Sequence, residues 1–220
     1  MADFQTIYDA AINRRGEVDL HARLSTPSNN DELIGVSDDR YLSQMAFRIF
    51  STGLRQDMVR GKWPEFEQAF HNFDPARVGF MNEEDLDQLL SNERIIRHAG
   101  KIKATFHNAA AMHDIAHECG GFGHYLVGWT PDNLNGLWLD LGKRFKHLGG
   151  NSGPYFLRMV GKDTFTLSND VIRGLQHWCG LEDAAKNKST IKLAHEQFNT
   201  WAKQTGRPFC QISMILALSV

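Results

Sequence analysis

The chain has 220 residues, of which 42% are hydrophobic and 23% charged, and its formal net charge is −2. That length supplies one large or two small domains with a sizeable core, and the composition excludes the disordered and fibrous classes. No apolar run reaches membrane-spanning length, and the charge balance means that any nucleic-acid binding must come from a local basic face on a near-neutral body.

The opening Met1-Ala2-Asp3-Phe4 has neither the charge nor the apolar stretch of a signal peptide. Cys119, Cys179 and Cys210 are odd in number and widely spaced. They read as reduced thiols of a cytoplasmic protein rather than a disulfide frame or an iron–sulfur cluster. Nearly every segment then has helical periodicity. Residues 4–14 place Phe4, Ile7, Tyr8 and Ala11 on one face, with Gly16 after them. Residues 21–37, with Pro27 and an Asn/Ser cluster, read as a loop. A helix starting at Asp38 or Asp39 carries Leu42, Met45, Ala46, Ile49 and Phe50 and breaks at Ser51-Thr52-Gly53. One short helix holds Met58 and Val59, and another follows Trp63-Pro64. Phe73-Asp74-Pro75 is a turn. Asn82 followed by Glu83-Glu84-Asp85 is a cap and acidic first turn for Leu86, Leu89 and Leu90. A long helix over about 100–117 stops at Gly120-Gly121-Phe122-Gly123, and Pro131-Asp132 starts the next. After a helix to Cys179 come a loop with Lys186-Asn187-Lys188, a helix from Ser189 to about Lys203, and a last helix after Arg207-Pro208. The pattern predicts an all-α fold without strands, repeats or linkers.

The stretch from Gly142 to Leu175 orders its chemistry most tightly. A basic helix end (Lys143, Arg144, Lys146, His147) runs into Gly149-Gly150-Asn151-Ser152-Gly153, with Pro154 at the first position of the next helix. Glycines let the backbone approach a ligand closely, and N–H groups beside a helix start suit a phosphate. Ser168-Asn169-Asp170 then opens another helix, with Asp170 in its first turn. On these residues alone, an ordinary αα-turn followed by an acidic helix start stands equally open.

The order hairpin, helix, loop and acid resembles the helix-hairpin-helix DNA glycosylases. The run FDPARVGFMNEEDLDQLL, with Ile95-Ile96-Arg97-His98 and Lys101-Ile102 downstream, is similar to the core of the 3-methyladenine DNA glycosylase I group. Lys143-Arg144-Phe145-Lys146 and Tyr155-Phe156 match that group's hairpin region, so the resemblance covers roughly residues 39–175. It implies a bilobed helix-hairpin-helix glycosylase fold, with one lobe from about 1–37 and 185–220 plus part of 38–72. The other lobe is about 73–184 and contains the hairpin 148–155. It implies hydrolysis of the N-glycosidic bond of a 3-methyladenine-like alkylated purine flipped out of double-stranded DNA. The family's N-terminal segment with zinc-binding Cys and His has no counterpart in residues 1–37, so a cytoplasmic monomer without metal or cofactor is expected. Asp170 is then the catalytic carboxylate, stabilising oxocarbenium character at the sugar and orienting water. DNA contacts are Gly149, Gly150, Asn151, Ser152, Gly153, Lys143, Lys146, Leu54 and Arg55, with Leu54 the wedge that fills the gap left by the base. The base pocket is Phe47, Arg48, Gln56 and Trp63. Arg48 or Ile49 stands at the family's pocket glutamate, and Gln56 at its pocket tryptophan. Pro154, Tyr155 and Phe156 occupy the region where strand-cleaving relatives carry a lysine, so the resemblance implies a monofunctional hydrolase.

Other readings stay open. A catalytically inactive DNA-binding protein that lost the lesion pocket fits the same hairpin. His113 and His117, at i and i+4 with Cys119 and His124 nearby, resemble a zinc-binding helix, although Asp114 stands where that motif has Glu. Lys101, Lys103, Arg97 and His98 read as a solvated helix face, Leu54 alternatively as a buried turn leucine, and Trp63 alternatively as core.

Overall fold

The computed structural model describes residues 3–185 and 187–220. Two of the sequence readings therefore extend beyond the described residues, at Met1-Ala2 and at Lys186. The described residues contain no strand. The helices in chain order are α1 (Phe4–Arg15), α2 (Glu17–Ala22), α3 (Asn30–Ile34), α4 (Asp38–Ser51), α5 (Gln56–Gly61), α6 (Trp63–Ala69), α7 (Pro75–Gly79) and α8 (Glu83–Ser91). They continue with α9 (Ala99–Cys119), α10 (Phe122–Val127), α11 (Leu134–Arg144), α12 (Ser152–Met159), α13 (Asn169–Cys179), α14 (Lys188–Thr205) and α15 (Phe209–Leu218). None of them is long and apolar enough to cross a membrane.

The chain divides into two compact units. One comprises the residues up to Ser28, Thr130–Leu137 and Gly161 onward; the other comprises Asn29–Trp129 and Trp138–Val160. In the first, α15 is the core helix, with Phe209, Ile212, Ile215 and Leu216 all buried. Its start is fixed by Asp163, whose two carboxylate oxygens accept from the Phe209 and Cys210 N–H groups at 2.9 Å each. Such a carboxylate satisfies first-turn donors that have no partner within the helix. The Phe165 and Phe198 rings stack at 4.1 Å beside it.

The second unit is built around α9, which buries Ile102, Ala104, Ala109, Met112 and Ile115. The run FDPARVGF now has a physical account. Asp74 caps α7 by accepting from the N–H groups of Ala76 and Arg77, Pro75 takes the first helical position, and Phe73 and Val78 are buried. Gly79 lets α7 cross α9 closely, because a Cβ there would lie 3.0 Å from the Ala110 backbone. Before it, His71, Asn72 and Phe73 all adopt positive φ, near 51°, 54° and 58°. This left-handed turn is held by Arg40, which forks onto Glu67 at 3.1 and 2.9 Å and donates to the Asn72 carbonyl at 2.7 Å.

The segment 21–37, read as a loop, contains the end of α2 and all of α3. The Asn29 side chain accepts from the Glu32 N–H, and the Glu32 carboxylate accepts from the Asn29 N–H, both at 2.9 Å. This reciprocal capping nucleates one turn despite the polar composition around it. Likewise Gly120, in the left-handed conformation, ends α9, but α10 follows immediately. Its first N–H, from Phe122, donates to Asp38 Oδ1 at 2.7 Å.

Candidate nucleic-acid interface and base site

Helix α11 carries Lys143 and Arg144 at its end, and the chain turns through residues 145–151 into α12. What holds this turn lies on α9. Asn108, fully buried, accepts from the Lys146 N–H at 2.7 Å and donates to the Lys146 carbonyl at 3.1 Å. One turn position earlier, a His107 ring nitrogen lies 3.1 Å from the Arg144 carbonyl. A buried amide that satisfies both polar groups of one residue fixes that residue's backbone, since either group left alone would be costly.

Gly149 and Gly150 are exposed at the tip, with Gly150 at φ 57°. Asn151 and Ser152 are half-buried. Gly153 is buried, and a Cβ there would lie 2.9 Å from the Leu148 carbonyl oxygen. It is glycine because the hairpin closes on itself at that point. Helix α12 begins at Ser152, so Pro154 is its third residue and not its first. Its missing N–H still falls in the first turn, where the donor has no intrahelical acceptor. The Lys143 and Lys146 side chains are exposed.

A second exposed feature of the same unit is the loop between α4 and α5. Leu54 is 40% exposed and Met58 45%, so Leu54 is not a buried turn leucine. Arg55 forms an exposed ion pair with Asp57 at 2.6 Å, and Gln56 is exposed at the start of α5. The loop is tied down by Lys101, whose ammonium donates to the carbonyls of Phe50 (3.2 Å) and Thr52 (2.8 Å). Lys101 therefore leaves the solvated face expected for it and caps the C-terminus of α4. Burial lowers its pKa from the ordinary lysine value. His98 closes the other end of the arrangement by accepting from the Lys101 N–H at 3.2 Å.

Along α4 itself, Phe47 is buried and Arg48 half-buried. Phe47 meets Trp63 edge-on at 5.0 Å, and the Arg60 guanidinium sits 5.1 Å from its ring. Trp63 stacks on Phe66 at 4.9 Å and on Phe73 at 5.4 Å. Its indole N–H donates to Ser43 Oγ, which in turn donates to Glu67. Trp63 is thus woven into the aromatic core of the unit. The Arg48 guanidinium lies 4.7 Å from the centre of the Tyr155 ring on α12. Its Nε is buried without a hydrogen-bond partner, as is Ser51 Oγ one turn further along α4. Burial lowers the Arg48 pKa, with Tyr155 acting in the opposite sense. Among the described residues no carboxylate pairs with Arg48.

Asp170 belongs to the other unit. It is the second residue of α13, after Ser168, whose hydroxyl accepts from the Val171 N–H. Its carboxylate is 58% exposed and pairs with Arg173 at 2.6 Å. Among the described residues no group of three or more His, Cys, Asp or Glu is arranged to hold a metal ion, the His113–His117 region included. Sequence reasoning passed over Asn108 and gave Tyr155 no contact role. The first looked like one of several polar positions inside a long helix, and its partner lies 38 residues away.

A sequence model of the family described as Methyladenine glycosylase matches residues 33–137. DNA-3-methyladenine glycosylase 1 of Escherichia coli strain K12 is 44% identical over 59 residues, 27% of this chain and 32% of that relative. The matched stretch thus spans about a third of the curated relative. The solved 3-methyladenine DNA glycosylase I from Staphylococcus aureus superposes with a TM-score of 0.53 at 21% identity, covering 72% of this chain and 95% of that one. The Methanocaldococcus jannaschii 8-oxoguanine glycosylase/lyase, solved with DNA, superposes with a TM-score of 0.55 at 12% identity, covering 97% and 94%. The fold is therefore that of the all-α DNA glycosylases. Within that class the sequence likeness is to the Methyladenine glycosylase family and lies in residues 33–137, just under half of the chain.

Proposed function

We propose that the chain is a DNA repair enzyme, an N-glycosyl hydrolase that removes an alkylated, 3-methyladenine-like purine flipped out of double-stranded DNA. The observation that carries this reading is the hairpin at 145–153, pinned by Asn108 with an exposed glycine tip beside a basic helix end. Exposed backbone N–H groups and nearby lysines are what a phosphate requires. In this reading Gly149, Gly150, Asn151, Ser152 and Gly153 supply backbone to the DNA strand, and Lys143 and Lys146 supply charge. Leu54 enters the duplex beside Arg55, and the base is held by the pocket of Phe47, Arg48 and Gln56, with Trp63 backing Phe47 from the core. Asp170 is the carboxylate that stabilises the developing sugar cation and orients water. Arg173 must release it first, and a solvated ion pair of this kind yields at little cost. No lysine stands at Pro154, Tyr155 or Phe156, so the reaction ends at base release. The protein acts as a cytoplasmic monomer.

Excision of 3-methyladenine from methylated duplex DNA tests this. Wild type releases the base, and Asp170→Asn loses roughly a hundredfold or more of the rate, the scale for a lost acid–base or charge-stabilising group. The exposure of Asp170 and its bond to Arg173 favour a second reading, a DNA-binding protein without catalysis. Equal inactivity of both proteins with duplex binding intact selects that second reading.

A further inference from the structure

The end of α4 and the start of α12 bring together polar groups that the fold leaves unsatisfied. Arg48 Nε and Ser51 Oγ are buried without partners, and they lie three residues apart on one face of α4. Tyr155, against which the Arg48 guanidinium rests, makes no hydrogen bond through its hydroxyl among the described residues. Buried polar atoms in native proteins are nearly always paired, so two orphans in one turn mark a place prepared for something else. All three residues remain partly exposed, and the turn of α4 that carries Arg48 and Ser51 runs directly into the exposed Leu54 loop.

The chemistry of the set is one-sided. A guanidinium only donates, through a planar fork, whereas the two hydroxyls adapt to either role. On the outer edge of a guanine the fork meets two acceptors, N7 and O6. On adenine it meets one acceptor and the N6 amino group, a donor facing a donor. We infer that Arg48, with Ser51 and Tyr155, recognises the N7/O6 edge of the extruded base, so that the enzyme prefers alkylated guanine to alkylated adenine. This rests on the glycosylase reading above and moves its favoured lesion from alkylated adenine to alkylated guanine. Purines alkylated at N3 carry the same formal charge in DNA whether they derive from adenine or guanine. The repulsion by Arg48 is therefore common to both, and the edge decides between them.

The experiment incubates the protein with duplex DNA treated with methylnitrosourea and separates the released bases by chromatography. Wild type releases 3-methylguanine at least tenfold faster per lesion than 3-methyladenine. Arg48→Gln lowers that ratio at least tenfold, and Arg48→Lys, which keeps charge but loses the fork, lowers it nearly as far. Because truncation at a half-buried site can unfold the protein, Tyr155→Phe supplies a milder variant with a smaller shift in the same direction. A ratio at or below one in wild type, or one unmoved in all three variants, overturns the inference while leaving the glycosylase reading intact. If Arg48→Gln instead weakens binding to all duplexes alike and flattens the salt dependence by about one phosphate contact, the arginine holds the strand and not the base. Release of neither base by wild type removes the glycosylase reading and this inference with it.

Discussion

The hairpin at 145–153 and the loop at 52–55 lie in the same unit, both bear on α9, and they are held in opposite ways. The hairpin is fixed from below by a buried side chain: Asn108 takes both backbone groups of Lys146, and Gly153 closes on the Leu148 carbonyl. It exposes the glycine backbone of its tip and, before it, the polar side chains of Lys146 and His147. The loop is fixed by a flexible ammonium, Lys101, reaching two carbonyls, and it exposes apolar side chains at Leu54 and Met58. A rigid backbone surface suits a repeating phosphate strand, and a tethered apolar tip suits insertion between bases. The contrast supports the proposed division of labour, with the hairpin gripping the strand and the loop wedging the duplex.

Three substitutions test that division, in falling order of effect. Asn108→Leu leaves the N–H and carbonyl of Lys146 without their buried partner and removes two hydrogen bonds, a cost of about 3 kcal/mol. That corresponds to a drop of roughly 10 °C in Tm for a chain this size, read by calorimetry. Duplex affinity falls with it for damaged and undamaged DNA alike. A variant that keeps wild-type Tm and affinity would mean that Asn108 does not anchor the hairpin. Lys101→Met frees the carbonyls of Phe50 and Thr52 to water and costs about 1 kcal/mol. Hydrogen exchange at residues 52–55 then speeds up while the Lys146 amide stays protected; equal loss of protection at both would erase the contrast. Leu54→Ala changes stability by less than about 0.5 kcal/mol, as exposed sites do. It weakens binding to lesion-bearing duplex without altering the salt dependence, and an altered salt slope would assign the loop a role at phosphates.

The two candidate chemical groups differ as sharply as the two surfaces. Asp170 was conspicuous from sequence, as an acid after a glycine hairpin and at a helix start. Its surroundings are nonetheless those of a solvated surface pair with Arg173. Arg48 was one basic residue among many in an amphipathic helix. The fold makes it the unusual one, because it is half-buried on Tyr155 and unmatched by any carboxylate among the described residues. Perturbation came from what α12 packs against, and no window of sequence contains both residues.

What the sequence determined by itself was the longer helices and most of their ends, whereas the short α2, α3, α7 and α10 were not among the helices it predicts. Apolar periodicity is local, and so are caps such as Asn82, Ser168 and Asp74, each satisfying donors two or three residues away. The capping pair Asn29–Glu32 was equally local and equally present, and α3 lay hidden only because a Pro- and Asn-rich setting outweighed it. The start of α12 at Ser152 and the later position of Pro154 were likewise boundary matters that one turn of chain decides. Tertiary structure alone decided which polar residues are buried and against what. Asn108 bonds to a residue 38 positions on, Lys101 to carbonyls about 50 positions back, and Arg48 to a ring on another helix. Hydrogen bonds and desolvation act through space over a few ångströms, and chain separation carries no record of them until the helices pack.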